Sequence, residues 1–191
     1  AGANLTPLQF ELGGKAPVIV FDDVSVDDAV NGCAFASFIA SGQTCIQGSR
    51  AIVHRSIYDQ FVENLANKVS KIRIGDPTDP QTQMGPVISG PAHDRILEYV
   101  QHSKTEGARV AYGGKKPSGD EYTSGYFLEP TILADVNQNM RVAREEIFGP
   151  VVCVIPFDTE DEAVEIANDI PYGLGCSIWT RDIARAHRVA R

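Results

Sequence analysis

The chain contains no run of eighteen or more apolar residues, so no segment of it reads as a membrane-spanning helix. Its opening, AGANLTP, has neither the basic start nor the apolar core of a signal peptide. Basic residues are in deficit: 17 Lys and Arg stand against 25 Asp and Glu, a formal charge of −8. No Lys/Arg cluster rises above an ordinary solvated helix face, which argues against nucleic acid or an anionic membrane as a partner. Cysteine is scarce as well. The four present, Cys33, Cys45, Cys153 and Cys176, are widely spaced in a chain that is 43% apolar, which favours reduced thiols in a cytoplasmic compartment over two disulfides. The histidines, His54, His93, His102 and His187, show no paired spacing with each other or with the cysteines, so no metal site is expected.

The 191 residues that remain to be accounted for suit one domain with a sizeable core. Val18 to Phe21 is a short β-branched run, and Ser25 with Asp28 then opens a predicted helix reaching about Ile39. Arg50 to His54 reads as the next strand, with Ser56 and Asp59 as the start of a helix whose stripe is Ile57, Phe61, Leu65, Val69 and Ile72. Gly75 to Gly90 is too rich in Gly and Pro to be regular and reads as a surface excursion. A third helix buries Ile96, Leu97 and Val100 and ends at Gly107, ahead of a strand from Ala108 to Tyr112. After a polar loop from Gly113 to Gly125, the extended run Tyr126 to Val136 is interrupted at Pro130, as an edge strand tolerates. The strand Val151 to Phe157, a helix opened by Thr159 and Glu162, the strand Leu174 to Thr180 and a helix from Asp182 complete the chain. Continuously apolar strands alternating with helices predict an α/β fold, a three-layer α/β/α sandwich around a mostly parallel sheet.

Phe35 to Arg50, FASFIASGQTCIQGSR, stands apart. Phe35, Phe38 and Ile39 sit at helical spacing, then Ser41 and Gly42 break the pattern and leave Cys45 in a polar turn. Cys33 lies in an apolar helical pattern and Cys153 and Cys176 in strand-like runs, where a free thiol is a small buried hydrophobe. Cys45 alone has the setting of a nucleophile. Two other places set carboxylates beside turn residues. In Glu11-Leu12-Gly13-Gly14-Lys15 the glycines admit a close backbone or ligand, and a partly desolvated Glu11 would gain the raised pKa of a general base. A solvated Glu at a strand end is the alternative reading. Glu145-Glu146-Ile147-Phe148-Gly149-Pro150 reads equally as a solvated acidic helix end.

The order and separation of these three places closely resemble the signature motifs of the aldehyde dehydrogenase superfamily. Ile74-Gly75-Asp76-Pro77, Met84-Gly85-Pro86, Phe127 to Thr131 and Pro171-Tyr172-Gly173-Leu174 extend the resemblance over the whole chain. It implies that Cys45 is the nucleophile and Glu11 the general base. It further implies that Glu146 holds the nicotinamide ribose, with Phe148, Leu12 and Gly13 at the nicotinamide end. The implied activity is oxidation of a small aldehyde to an acid with NAD, in preference to NADP, through a cysteine thiohemiacetal and thioester, in a homo-oligomer. With Ala1 at its start and Arg191 inside a helical pattern, residues 1–191 are expected to be a single catalytic domain cut from a two-domain enzyme, without the dinucleotide-binding domain and C-terminal segment, and inactive alone. Rival readings are a CoA-acylating relative, a cysteine hydrolase pairing Cys45 with His54, and a non-catalytic interaction domain.

Overall fold

Alternating apolar runs collect into one sheet in the computed structural model, which describes residues 2–191. Its strands are Pro17–Val20 (β1), Arg50–His54 (β2), Arg109–Tyr112 (β3), Thr131–Ala134 (β4), Val151–Phe157 (β5) and Ser177–Trp179 (β6), in the order β3-β4-β5-β2-β1-β6. Every neighbouring pair is parallel except β3 with β4. The helices are Val26–Phe38 (α1), Tyr58–Val69 (α2), Gly90–Thr105 (α3), Arg141–Arg144 (α4), Glu160–Asn168 (α5) and Ile183–Val189 (α6).

Strand side chains alternate between faces, and both faces are covered. Val18, Val20, Ala51, Val53, Val152 and Val154 pack with Val30 and Cys33 of α1 and Phe61 and Leu65 of α2. On the other face, Leu133, Cys153 and Ile155 meet Ile96, Tyr99 and Val100 of α3, while Ile19, Phe21, Ile52 and Phe157 meet Ala163 of α5. Each of the larger side chains contributes about 1.5–3 kcal/mol by leaving water, so the sheet is a rigid floor for the loops at its ends. Among the described residues no helix is long and apolar enough to cross a membrane.

The helix starts follow local chemistry. Ser25 Oγ accepts from the Asp28 amide and Thr159 Oγ1 from the Glu162 amide, each satisfying an otherwise orphaned donor. Ser56 does not cap α2. Instead a 3-10 turn, Arg55–Ile57, intervenes, with the His54 ring accepting from the Ser56 amide. The run from Tyr126 is not an edge strand either, because β4 lies between β3 and β5 and Pro130 falls just before it. Pro130 therefore removes no ladder donor. The last strand is only Ser177–Trp179, and Cys176, just outside it, is exposed. The excursion from Gly75 to Gly90 is anchored as well as exposed: Met84 and Val87 are buried, and Ser89 caps α3.

Candidate active site

The loop that carries Cys45 is wound against the preference of its residues. Helix α1 stops at Phe38, and Ala40 (φ 50°), Ser41 (φ 57°) and Gly42 (φ 67°) follow in the left-handed region. For the two non-glycine residues that conformation costs on the order of 1–3 kcal/mol each and persists only when neighbours impose it. The neighbours are on the excursion: Ser41 Oγ donates to Gly85 O at 2.9 Å, and the Ile88 amide donates to Gln43 Oε1 at 2.9 Å. Gly42 is required for two reasons, its positive φ and a backbone contact, since a Cβ there would lie 2.2 Å from Gly149 O. Thr44 to Ile46 then turn outward, closed by the Gln47 amide donating to Thr44 O at 3.1 Å. Cys45 is half-buried and Ile46 exposed. Of the expected helical stripe, Phe38 is buried while Phe35 and Ile39 face out.

The segment from Glu11 to Lys15 approaches this turn from the other side. A Cβ on Gly14 would sit 2.0 Å from the carbonyl oxygen of Cys45, so the two backbones are in direct contact. The same residue reaches the third motif, its amide donating to Glu146 Oε1 at 2.9 Å. Gly13 lies over Glu146 too: a Cβ on it would meet Glu146 Oε2 at 2.9 Å and the Tyr172 ring at 3.3 Å. Three motifs separated by 132 residues of sequence therefore converge on one backbone position, Gly14.

Glu145 and Glu146, adjacent in sequence, are used differently. Glu145 faces outward, accepting from Tyr99 Oη at 2.6 Å and Arg141 Nε at 2.9 Å. The Tyr99 bond, aided by Arg141, holds its carboxyl below the usual range. Glu146 is half-buried and turned toward the glycines. Buried Ile147 and the Arg95 guanidinium, which donates to Ile147 O at 2.8 Å, hold the turn that follows. Phe148 at its tip is partly exposed and left-handed, with φ 53°, a strained conformation for a large side chain.

Not every expectation is met. Glu11 is exposed, with Gln9 Nε2 donating to it at 3.3 Å, so it is not desolvated as the sequence reading required. Among the described residues, no strand or helix covers the extended segment before Gly14, whose residues are exposed. Leu12 and Gly13 are also exposed. His54 ends β2 at the far side from Cys45, packed edge-on against Phe157 at 5.3 Å. Four residues of strand correspond to about 13 Å, and no Cys/His pair forms. Among the thiols, Cys176 is exposed as well as Cys45 partly so, whereas Cys33 and Cys153 are buried.

Two buried cations underlie the site. Arg50, fully buried, donates to the carbonyls of Lys15, Ile166 and Ala167 at 2.8–3.0 Å. Burial pushes its pKa down to about 10. Lys15 is 1% exposed, its ammonium has no hydrogen-bond acceptor among the described residues, and burial lowers its pKa. A cavity of about 560 Å³ behind the turn is lined by Lys15, Tyr172, Leu174 and Cys176, but not by Cys45. Neither the Lys15 burial nor the Gly14 bridge has a signal in residue spacing. Tyr172 had one in Pro-Tyr-Gly-Leu.

Residues 1–191 match the model of the aldehyde dehydrogenase family. Betaine aldehyde dehydrogenases of Brucella anthropi and Mesorhizobium japonicum are each 47% identical over 189 residues, 99% of this chain and 39% of theirs. The crystal structure of betaine aldehyde dehydrogenase from Staphylococcus aureus in complex with NAD+ superimposes with a TM-score of 0.94 at 43% identity, covering 99% of this chain and 38% of that one. An aldehyde dehydrogenase from Bacillus cereus gives 0.89 at 40% identity, over 94% and 36%. The chain thus spans about two fifths of the length of the curated relatives it matches.

Proposed function

The chain belongs to the aldehyde dehydrogenase family, and on that premise we propose that it supplies the thiol-bearing part of an enzyme that oxidises an aldehyde to a carboxylic acid with NAD. The observation that carries the reading is the meeting of Cys45 and Glu146 at Gly14. A nucleophile and an acceptor for sugar hydroxyls then lie on opposite sides of one glycine. The crystal structure of the Staphylococcus aureus relative in complex with NAD+ supports the choice of cofactor.

The residues fit a nicotinamide ribose. The Gly14 amide occupies Glu146 Oε1, and the missing Gly13 side chain leaves a cradle over Oε2, a free carboxylate oxygen suited to accept from hydroxyls. Phe148 at the neighbouring tip would face the nicotinamide, and Leu12 and Gly13 would border it. Bound NAD would supply the acceptor for the hydride that the thiohemiacetal carbon gives up in becoming a thioester.

The protein's own residues do the rest. The Cys45 thiol gives its proton to solvent and Sγ adds as the thiolate to the aldehyde carbon, the carbonyl π pair moves to oxygen, and the Cys45 amide would donate to that oxyanion. In comparable sites removal of one such donor costs about 3–4 kcal/mol. After oxidation, Glu11 takes a proton from water as its oxygen bonds to the thioester carbon. The C–S bond breaks, its electron pair returns to Sγ, and the acid leaves. Glu11 reaches the thioester by a swing of the exposed segment before Gly14, and its exposure lets it pass the proton to solvent.

Four unbridged cysteines support a reducing, cytoplasmic setting. The family resemblance is the ground for a homo-oligomeric complete enzyme. The 191-residue chain alone is expected to bind NAD weakly and not to turn over, and steady NAD reduction by it would refute that. In the complete enzyme, with betaine aldehyde as the first substrate to assay, Cys45→Ser should abolish NAD reduction. Retention of more than about a tenth of the rate would overturn the reading, since loss of a covalent nucleophile removes several orders of magnitude.

A further inference from the structure

Gln47, two residues after Cys45, is 5% exposed, and its side-chain amide is the only polar bridge between the thiol loop and the Phe148 turn among the described residues. Nε2 donates to Ser37 O at 2.8 Å and Gly149 O at 2.8 Å, with Val151 O at 3.4 Å. These carbonyls belong to the last turn of α1, the tip after Phe148 and the start of β5. The Ser37 carbonyl needs the bond because the left-handed residues after α1 end the helical ladder that would have supplied a donor from residue 41. The amide of Gly48 donates to Ala36 O, and Ser37 Oγ donates to Gly48 O at 2.7 Å, so the end of α1 grips the segment after Cys45 on both sides. Gly42 makes the room, since a Cβ there would lie 2.8 Å from Gln47 Nε2.

We propose that Gln47 is the positioning residue that fixes the Cys45 loop against the Phe148–Gly149 turn, and hence the thiol against the nicotinamide end of the cofactor site. The inference rests on the roles given above to Cys45 and Phe148. The amide has the right chemistry: two N–H donors on one planar group, each aimed at a carbonyl of a different element. A glutamate of the same shape has no such donors and would set a carboxylate against three carbonyl oxygens. Methionine keeps most of the volume and bonds to none of them. Either substitution unties two strained loops from each other, at φ 57° for Ser41 and φ 53° for Phe148, while leaving each loop its separate anchors at Gly85 and Arg95.

The four cysteines make the test internal. In the 191-residue chain without NAD, iodoacetamide labelling of each thiol is followed by peptide mass spectrometry for the parent, Gln47→Met and Gln47→Glu. Cys45 labelling should rise about fivefold or more in both variants. Cys176, exposed, should be unchanged, and Cys33 and Cys153, buried, should stay protected. A rise shared by Cys33 and Cys153 would mean general loosening, and an unchanged Cys45 would mean no hold on the loop; either overturns the proposal. In the complete enzyme, assayed well below the melting temperature, the variants should lose about 10- to 100-fold in kcat, as misplacement of reacting groups by about 1 Å costs, with the KM for aldehyde within about threefold. A parental kcat would likewise overturn it. Failure of the enzymatic reading itself shows separately, as activity in Cys45→Ser.

Discussion

Gly14→Ala is the substitution the geometry constrains most tightly. The added Cβ would lie 2.0 Å from Cys45 O and 3.2 Å from Cys45 C. Ordinary contact begins near 3.4 Å, so the two backbones must separate by about 1.4 Å. Neither atom belongs to a flexible side chain that could swing away. Overpacking of this kind costs about 1–3 kcal/mol, and pulling the amide from Glu146 Oε1 forfeits about another 1 kcal/mol. At about 2–4 °C per kcal/mol for a chain of this size, the melting temperature should fall by roughly 4–16 °C. Circular dichroism melts of the 191-residue chain measure it. Gly173→Ala is the control, because nothing lies within 4 Å of its Cβ position; it should melt within about 3 °C of the parent. If Gly14→Ala melts with the parent and with Gly173→Ala, the backbone contact that joins the motifs is not there and the site described above is wrong.

Lys15→Met should stabilise the chain at pH 7 by about 1–3 kcal/mol, since it removes a buried ammonium without an acceptor. Burial holds the folded pKa of Lys15 below the unfolded value near 10.5, so its penalty is complete below the folded pKa and fades as pH rises toward 10.5, where the unfolded chain holds the extra proton. Urea midpoints at pH 7 and pH 10 should therefore show a gap between variant and parent that narrows; a less stable variant with a constant gap contradicts this. Burial pushes the Cys33 thiol up to about 12 and raises that of Cys153, so at pH 8 iodoacetamide should label Cys45 and Cys176 in the native chain and leave the other two untouched. Because Cys33 titrates near 9.0 when unfolded, it contributes a loss of stability as pH rises from about 9 toward 12, the opposite sign to Lys15, and raised Cys153 acts in the same direction. Cys33→Ala should make that decline shallower.

Much of the layered architecture was legible because its signals are local. The β-branched runs at β1, β2 and β5 and the caps Ser25 and Thr159 need only neighbouring residues to act. Ser56 failed for a local reason too, as the His54 ring engages both the Ser56 amide and the Ser56 hydroxyl that was expected to cap the helix. The position of Pro130 was misread because edge or interior is a property of strand order, which no single strand carries. In the site, Cys45 was marked by the Gly-Gln-Thr turn, and the glycines at 13 and 14 by their need for close approach. What they approach, Cys45 O and Glu146, lies 31 and 132 residues away and could be reached only through the family resemblance. Gln47 had no mark at all: a glutamine in a polar turn looks solvated until the three carbonyls around it are in place. Cys176 misled in the opposite direction, since β6 begins at Ser177, three residues after Leu174 where the strand was expected to start, and leaves Cys176 outside it.

Acid-quenched peptide mass spectrometry of the complete Glu11→Gln enzyme, mixed with NAD and betaine aldehyde, tests the chemistry at its centre. With the water-activating carboxylate removed and the thiol intact, the acyl group derived from the aldehyde should accumulate on the peptide carrying Cys45, in near one-to-one yield with NADH formed. NADH released at the parental steady rate with no acyl group on any peptide, or an acyl group borne by another residue, would contradict the assignment of Cys45 and Glu11.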